Sequence, residues 1–155
     1  MRGETRQAYE LIDECLKRSK VSGYTWLTEL AHFSAGMLSM QSGTFEAAAF
    51  NFRESVQLLQ SHKEMWRALI LLESIAAHAT MRHQALSAAR LFGAAEALRS
   101  QSNVRRMPIY QHEYELSVAT LKGQMDEDAF TETWKTGKEL TLDQALAYAV
   151  RCLDE

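Results

Sequence analysis

The stretch Gly43-Thr44-Phe45-Glu46-Ala47-Ala48-Ala49-Phe50-Asn51-Phe52-Arg53-Glu54-Ser55 decides the fold. Ala48, Phe52 and Ser55 stand at i, i+4 and i+7, one stripe of an α-helix. Small residues at 48 and 55 let a neighbouring helix approach closely, and Phe52 fills the space between them. The pattern recurs at a spacing of 40 residues: Gly3, Gly43 and His83 align, as do Ala8, Ala48 and Ala88. Ile12, Phe52 and Phe92 follow in the same register, then Cys15, Ser55 and Ala95. Upstream, Trp26 pairs with Trp66, Leu30 with Ile70, and Gly36 with Ala76. The sets that begin at Ala8, Ile12 and Cys15 are small, bulky apolar and small in turn. This is a repeat of antiparallel helix pairs, in which no pair buries its face alone and stacking makes the core.

Mid-helix, Gly36 costs roughly 1 kcal/mol against Ala, a cost a helix accepts where another crosses it tightly. The pattern predicts helices over about 4–20, 24–42, 44–61, 64–82, 84–101, 107–122, 126–136 and 142–154. Gly23 parts the first two, and Ser42-Gly43-Thr44 ends one helix and starts the next. Residues 100–106 form a polar connector, closed by Pro108 in the first turn of the following helix. Thr141-Leu142-Asp143-Gln144 reads as a capping box. No stretch alternates like a strand. The fold class is all-α, a right-handed solenoid of about seven or eight helices.

Composition bounds what this fold can do. The 155 residues hold seven Gly and one Pro, too few turn formers for a many-stranded β-protein. Seventeen basic against 20 acidic residues give a net charge of -3, which offers nucleic acid no general attraction. Two cysteines, Cys15 and Cys152, cannot build a disulfide framework or a zinc cluster. No apolar run approaches the roughly 18 residues needed to span a bilayer. The N-terminal residues lack an apolar signal core. The expectation is a cytoplasmic chain with no membrane partner.

The helix pairs resemble the tetratricopeptide (TPR) repeat. Gly36 and Ala76 supply the small residue late in the first helix, and Gly43, Phe45, Ala48 and Phe52 supply the second. The period of 40 exceeds the roughly 34 of that repeat, and most of its Trp, Tyr and Pro positions are replaced. Longer repeats of this kind are similar to those of bacterial LuxR-type (MalT-like) activators and related signalling ATPases. Residues 88–98, Ala-Ala-Arg-Leu-Phe-Gly-Ala-Ala-Glu-Ala-Leu, resemble their Ala-x-Leu-x-Gly-Ala-Ala helix. Pro108, Tyr114, Leu121-Lys122-Gly123, Ala129-Phe130, Trp134, Gly137, Leu140-Thr141-Leu142 and Ala145 continue the likeness, with a departure at Lys122. The resemblance implies one TPR-like domain over 1–155, with a partial repeat at 3–22, repeats at 23–62 and 63–102, and a degenerate one at 107–155. It also implies a fragment of a longer regulator, with a nucleotide-binding module upstream and a helix-turn-helix downstream. The residues themselves point the same way: 3–16 form half a repeat, which exposes Ala8, Leu11, Ile12 and Cys15 and allows a homodimer.

Chemical motifs are sparse. No phosphate-cradling glycine loop occurs. Of His32, His62, His78, His83 and His112, the last opens like a metalloprotease helix, but Leu116 stands where the second His belongs. Glu113/Glu115 and Asp126/Glu127/Asp128 pair carboxylates, the latter where they suit a helix dipole. Arg105-Arg106 is the one local basic patch and reads as a solvated loop; Trp26, Trp66 and Trp134 read as packing anchors. The expectation is no catalysis, no metal, no cofactor and no direct nucleic-acid contact. In repeats of this type the first helix of each pair lines a concave face. By that register the groove is Phe33, Met37, Met40 and Gln41, then Glu73, Ala77, Thr80 and Met81, then Tyr110, Glu113 and Ser117. Phe33, Met37 and Met40 form an adaptable apolar stripe fit for a protein or small effector. The expected function is a non-catalytic interaction or effector-sensing domain of a larger transcriptional regulator, contacting the other domains of its parent chain. The alternative is a stand-alone scaffold or adaptor that grips a peptide or partner protein.

Overall fold

The computed structural model describes residues 2–61 and 64–154, with side chains in the first stretch from Thr5 onward. His62, one of the five histidines, lies outside the described residues. Eight helices form: α1 (Arg2–Ser22), α2 (Thr25–Gln41), α3 (Phe45–Leu59), α4 (Met65–Met81), α5 (Ala85–Ser102), α6 (Pro108–Lys122), α7 (Glu127–Lys138) and α8 (Leu142–Asp154). Among the described residues there is no strand, and the fold class is all-α. Helix ends fall within two residues of those the sequence predicts.

Backbone chirality sets the helix lengths. Gly23 (φ 70), Gly43 (φ 72), His83 (φ 60) and Asn103 (φ 53) are left-handed, at positions separated by multiples of 20. Three of them close α1, α2 and α4 in the same way. Thr44 N–H donates to Ser39 O and Gly43 N–H to Met40 O; Gln84 and His83 repeat this on Ala79 and Thr80. Tyr24 and Gly23 do so on Ser19 and Lys20. This paired closure satisfies the last free carbonyls and stops the helix. Gly3, aligned with Gly43 by sequence, lies instead inside α1. The capping box forms, with Thr141 N–H on Gln144 Oε1 at 2.9 Å and Gln144 N–H on Thr141 Oγ1 at 3.3 Å. Asp126 caps α7 by accepting from Ala129 N–H.

The chain divides into two compact units, residues 1–63 and 64–155. In unit 1, α2 packs against both α1 and α3; in unit 2, α4 packs on α5, α6 and α8, and α5 on α7. The repeat stripes lie in these cores: Ala48, Phe52, Ser55, Ala88, Phe92 and Ala95 are fully buried. At Gly36 a methyl group would sit 2.6 Å from the Phe52 ring, so this glycine makes room for the aromatic wedge. On α1 the stripe is only partly covered, and Leu11 stays 65% exposed.

The tryptophans correct the sequence reading. Trp26 and Trp66 keep their common register, but both are half exposed, at 50% and 49%. They follow the N-terminal ends of α2 and α4, where a ring has little chain to cover it. Trp134 does anchor packing: it stacks on Phe92 with centroids 6.2 Å apart and donates to Glu96 Oε2 at 2.8 Å. No helix among the described residues is long and apolar enough to cross a membrane.

Candidate functional site

In unit 2, α4 and α6 face each other through matching helical stripes. Ile70, Glu73, Ser74 and Ala77 meet Tyr110, Glu113, Tyr114 and Ser117 across a narrow cleft. Its open volume is about 20 Å³, room for about one water. The structure thus brings together Glu73, Ala77, Tyr110, Glu113 and Ser117 of the predicted groove. It leaves no space there for a ligand.

The cleft is closed by a charge knot. Glu73 accepts from Arg99 on α5 (Nη2 at 2.9 Å, Nε at 3.2 Å) and from Arg106 in the connector (Nη2 at 2.7 Å, Nε at 3.1 Å). All three side chains are almost buried. Arg99 also donates to Val104 O, and Arg106 to Gln111 Oε1, so the connector's backbone and the first turns of α6 hang from one carboxylate. The Arg106 guanidinium lies 3.5 Å from the Tyr114 ring centre. Burial alone would lower the Arg106 pKa, but the hydrogen bonds and charge of Glu73 outweigh it and raise it above its ordinary value. Burial pushes the Glu113 carboxyl up, and also the Tyr114 phenol, against the pull of the Arg106 charge. Arg106 is therefore not a solvated loop residue: a partner 33 positions earlier draws it inward.

The remaining groove residues fall elsewhere. Phe33 and Met40 are buried rather than presented on an open face. They flank Gly36 at one helical turn on each side, so the crossing that seats Phe52 covers them too; Phe33 and Phe52 ring centres are 6.3 Å apart. Met37 is partly buried and Gln41 exposed. Thr80 is buried, its hydroxyl donating to Ala76 O and its carbonyl accepting from Gln124. Met81 is about half exposed at the end of α4. The stripe read as a lining face is the one on which the hairpins close.

Sequence reading missed a second feature, in unit 1. Ser19, Lys20, Thr28, His32, Glu54 and Leu58 line a cavity of about 240 Å³ where α1, α2 and α3 meet. The available signal was a histidine and two hydroxyls on otherwise apolar helical faces, which periodicity alone does not separate from packed polar residues. Among the described residues no three His, Cys, Asp or Glu side chains converge as metal ligands.

No protein-family model and no solved structure matches the chain. Over 62 residues it is 42% identical to candidate HTH-type transcriptional regulators of Mycobacterium tuberculosis and Mycobacterium bovis. That match covers 40% of this chain and 7% of the length of each relative, so the matched stretch is a small part of those proteins.

Proposed function

We propose that this chain is a non-catalytic, TPR-like helical segment of a larger transcriptional regulator of the LuxR-type (MalT-like) kind. In that role it senses an effector or partner protein and passes the resulting change in packing to neighbouring domains. The observation that carries the reading is the 42% identity over 62 residues with the mycobacterial HTH-type regulators. Two structural features support it. The helices pair through small residues and aromatic wedges, as in TPR hairpins. The charges of the knot that closes the α4–α6 cleft are spent on one another, since Glu73 pairs with both Arg99 and Arg106.

The same knot suggests how a signal passes. Arg99, Arg106 and Glu73 tie two helices to the connector that starts α6, so releasing one guanidinium frees that connector as a unit. In this reading the connector takes a second packing when the knot is released, and a ligand shifts the balance by its differential affinity. The test is a reporter assay in the complete gene, with residues 1–155 deleted and, separately, with Glu73→Gln. Retained DNA binding with lost or constitutive response is the expected result. A reading frame encoding neither a helix-turn-helix nor a nucleotide-binding loop beside this segment would overturn the proposal.

A further inference from the structure

Helix α6 is fastened at its two ends by different means. Of its 15 residues only Leu121, in the last turn, is buried. Just past that turn Gln124 Nε2 donates to Thr80 O of α4 at 3.0 Å, so the C-terminal end is seated on α4. At the other end Pro108 and Ile109 are exposed. There the first turns are held through Arg106, which donates to Glu73 and to Gln111 Oε1. Midway, Tyr114 meets the buried Phe92 ring edge-on with centres 5.5 Å apart, and the Arg106 guanidinium lies over that same Tyr114 ring. One side chain thus secures both the start of α6 and its middle.

The contrast with α7 is informative. It too buries a single residue, Gly137, but its main chain lies against that of α5, and Trp134 stacks on Phe92. Separating α7 from α5 breaks the packed core. Separating α6 from α4 breaks polar and aromatic contacts that one arginine gathers. Residues 103–107, which join α6 to α5, are non-helical, the kind of loop position from which hinges are drawn.

We propose that α6 is a latched flap. Arg106 on Glu73 is the latch and Leu121 the pivot. Release of the latch swings the N-terminal end of α6 away from α4 while α4, α5, α7 and α8 stay packed. Glu73 keeps its bonds from Arg99 in the open state, so its carboxylate is not stranded, and the freed Arg106 regains water. The opening therefore costs less than breaking a buried pair outright. It bares Ile70, Ser74 and Ala77 on α4 and Tyr110, Tyr114 and Ser117 on α6, which enclose about 20 Å³ when shut. Anything larger than a water that binds between those faces selects the open state. The flap supplies a moving part for the signalling role of the knot and rests on that reading only for its use. The motion itself belongs to the folded chain, whatever domains flank it.

The test is native-state hydrogen exchange of the whole chain, read by mass spectrometry at rising urea below the unfolding transition. Away from α4 a helix of 15 residues is marginal in water, so opening exposes its amides. Amides of residues 112–122 are expected to exchange faster than those of α4 and α5 and with a weaker urea dependence, the mark of a local opening. Arg106→Gln is expected to speed α6 exchange by about tenfold or more, the loss of charged hydrogen bonds, with α5 nearly unchanged. In Ser74→Cys the thiol stands on the buried α4 side of the cleft, and its alkylation reads the swing directly; adding Arg106→Gln is expected to raise that rate by a similar factor. Protection of α6 equal to that of α5 at the same urea dependence in the parent chain would overturn the proposal. So would an Arg106→Gln chain in which α5 and α6 speed up alike, or one in which Ser74→Cys is alkylated no faster.

Discussion

Both units bring helices together at glycine, but against different partners. In unit 1 a methyl group on Gly36 would meet the Phe52 ring, a side chain with a torsion to spare. In unit 2, Gly93 on α5 faces the backbone carbonyl of Trp134, and Gly137 on α7 faces that of Arg90. There two main chains lie against each other, and neither can turn away. Buried polar groups divide the same way. Unit 1 holds separate hydroxyl and imidazole hydrogen bonds, and its buried Glu29 carboxylate accepts from the Ser55 hydroxyl at 2.6 Å. Unit 2 spends its buried charge in a filled three-residue knot. One construction rule has produced a core that can yield and a core that is locked.

The strongest way to break the contrast is Glu73→Ala, which strands two guanidinium groups that are 12–13% exposed. Loss of one side of a buried ion pair predicts about 3–5 kcal/mol of destabilisation, read as a lower urea midpoint at unchanged slope. Gly93→Ala comes next, at about 3 kcal/mol by overpacking. The double change Gly93→Ala/Gly137→Ala should cost less than the two single changes added, because the first already parts α5 from α7. Gly36→Ala should cost about 1 kcal/mol or less, the ring shift being offset by roughly 1 kcal/mol of helix propensity. A Gly36→Ala penalty as large as that of Gly93→Ala, in thermal unfolding, would erase the distinction between ring and backbone.

The smallest expected effect is pH-dependent. Burial raises the Glu113 carboxyl pKa in the folded chain, so folding favours its protonated form. Below the unfolded pKa both states are protonated and the residue is neutral to stability; above the folded pKa its desolvation cost is fully present. Glu113→Gln should therefore raise the melting temperature slightly at neutral pH and leave it unchanged in acid.

Much of the architecture was legible from spacing. The 40-residue register located the buried stripes of α3 and α5, and Gly36 announced its aromatic neighbour. His83 at the Gly43 position takes the same left-handed turn and Gly23 was read as a break, although the left-handed turn at Asn103 escaped notice. The site was harder to read. Tyr110 and Glu113 share one stripe of α6, because a helix fixes which residues share a face, and that stripe meets Glu73 on α4. Phe33 and Met40 were assigned to open surface because periodicity is silent on what that face meets. Trp26 and Trp66 erred in the opposite sense, since aromatic size alone does not ensure cover near a helix start.

Local chemistry along the chain determined the helix lengths, the turn chirality at Gly43 and His83, and the alternation of small and bulky residues on each stripe. These are properties of neighbours within a few residues, and no distant contact is needed to specify them. Only the tertiary structure decided that Arg106 turns inward, that the α4–α6 cleft closes, and that a polar cavity opens beside His32. Each depends on groups far apart in sequence meeting in three dimensions, and their energies come from desolvation and pairing that no single helix contains.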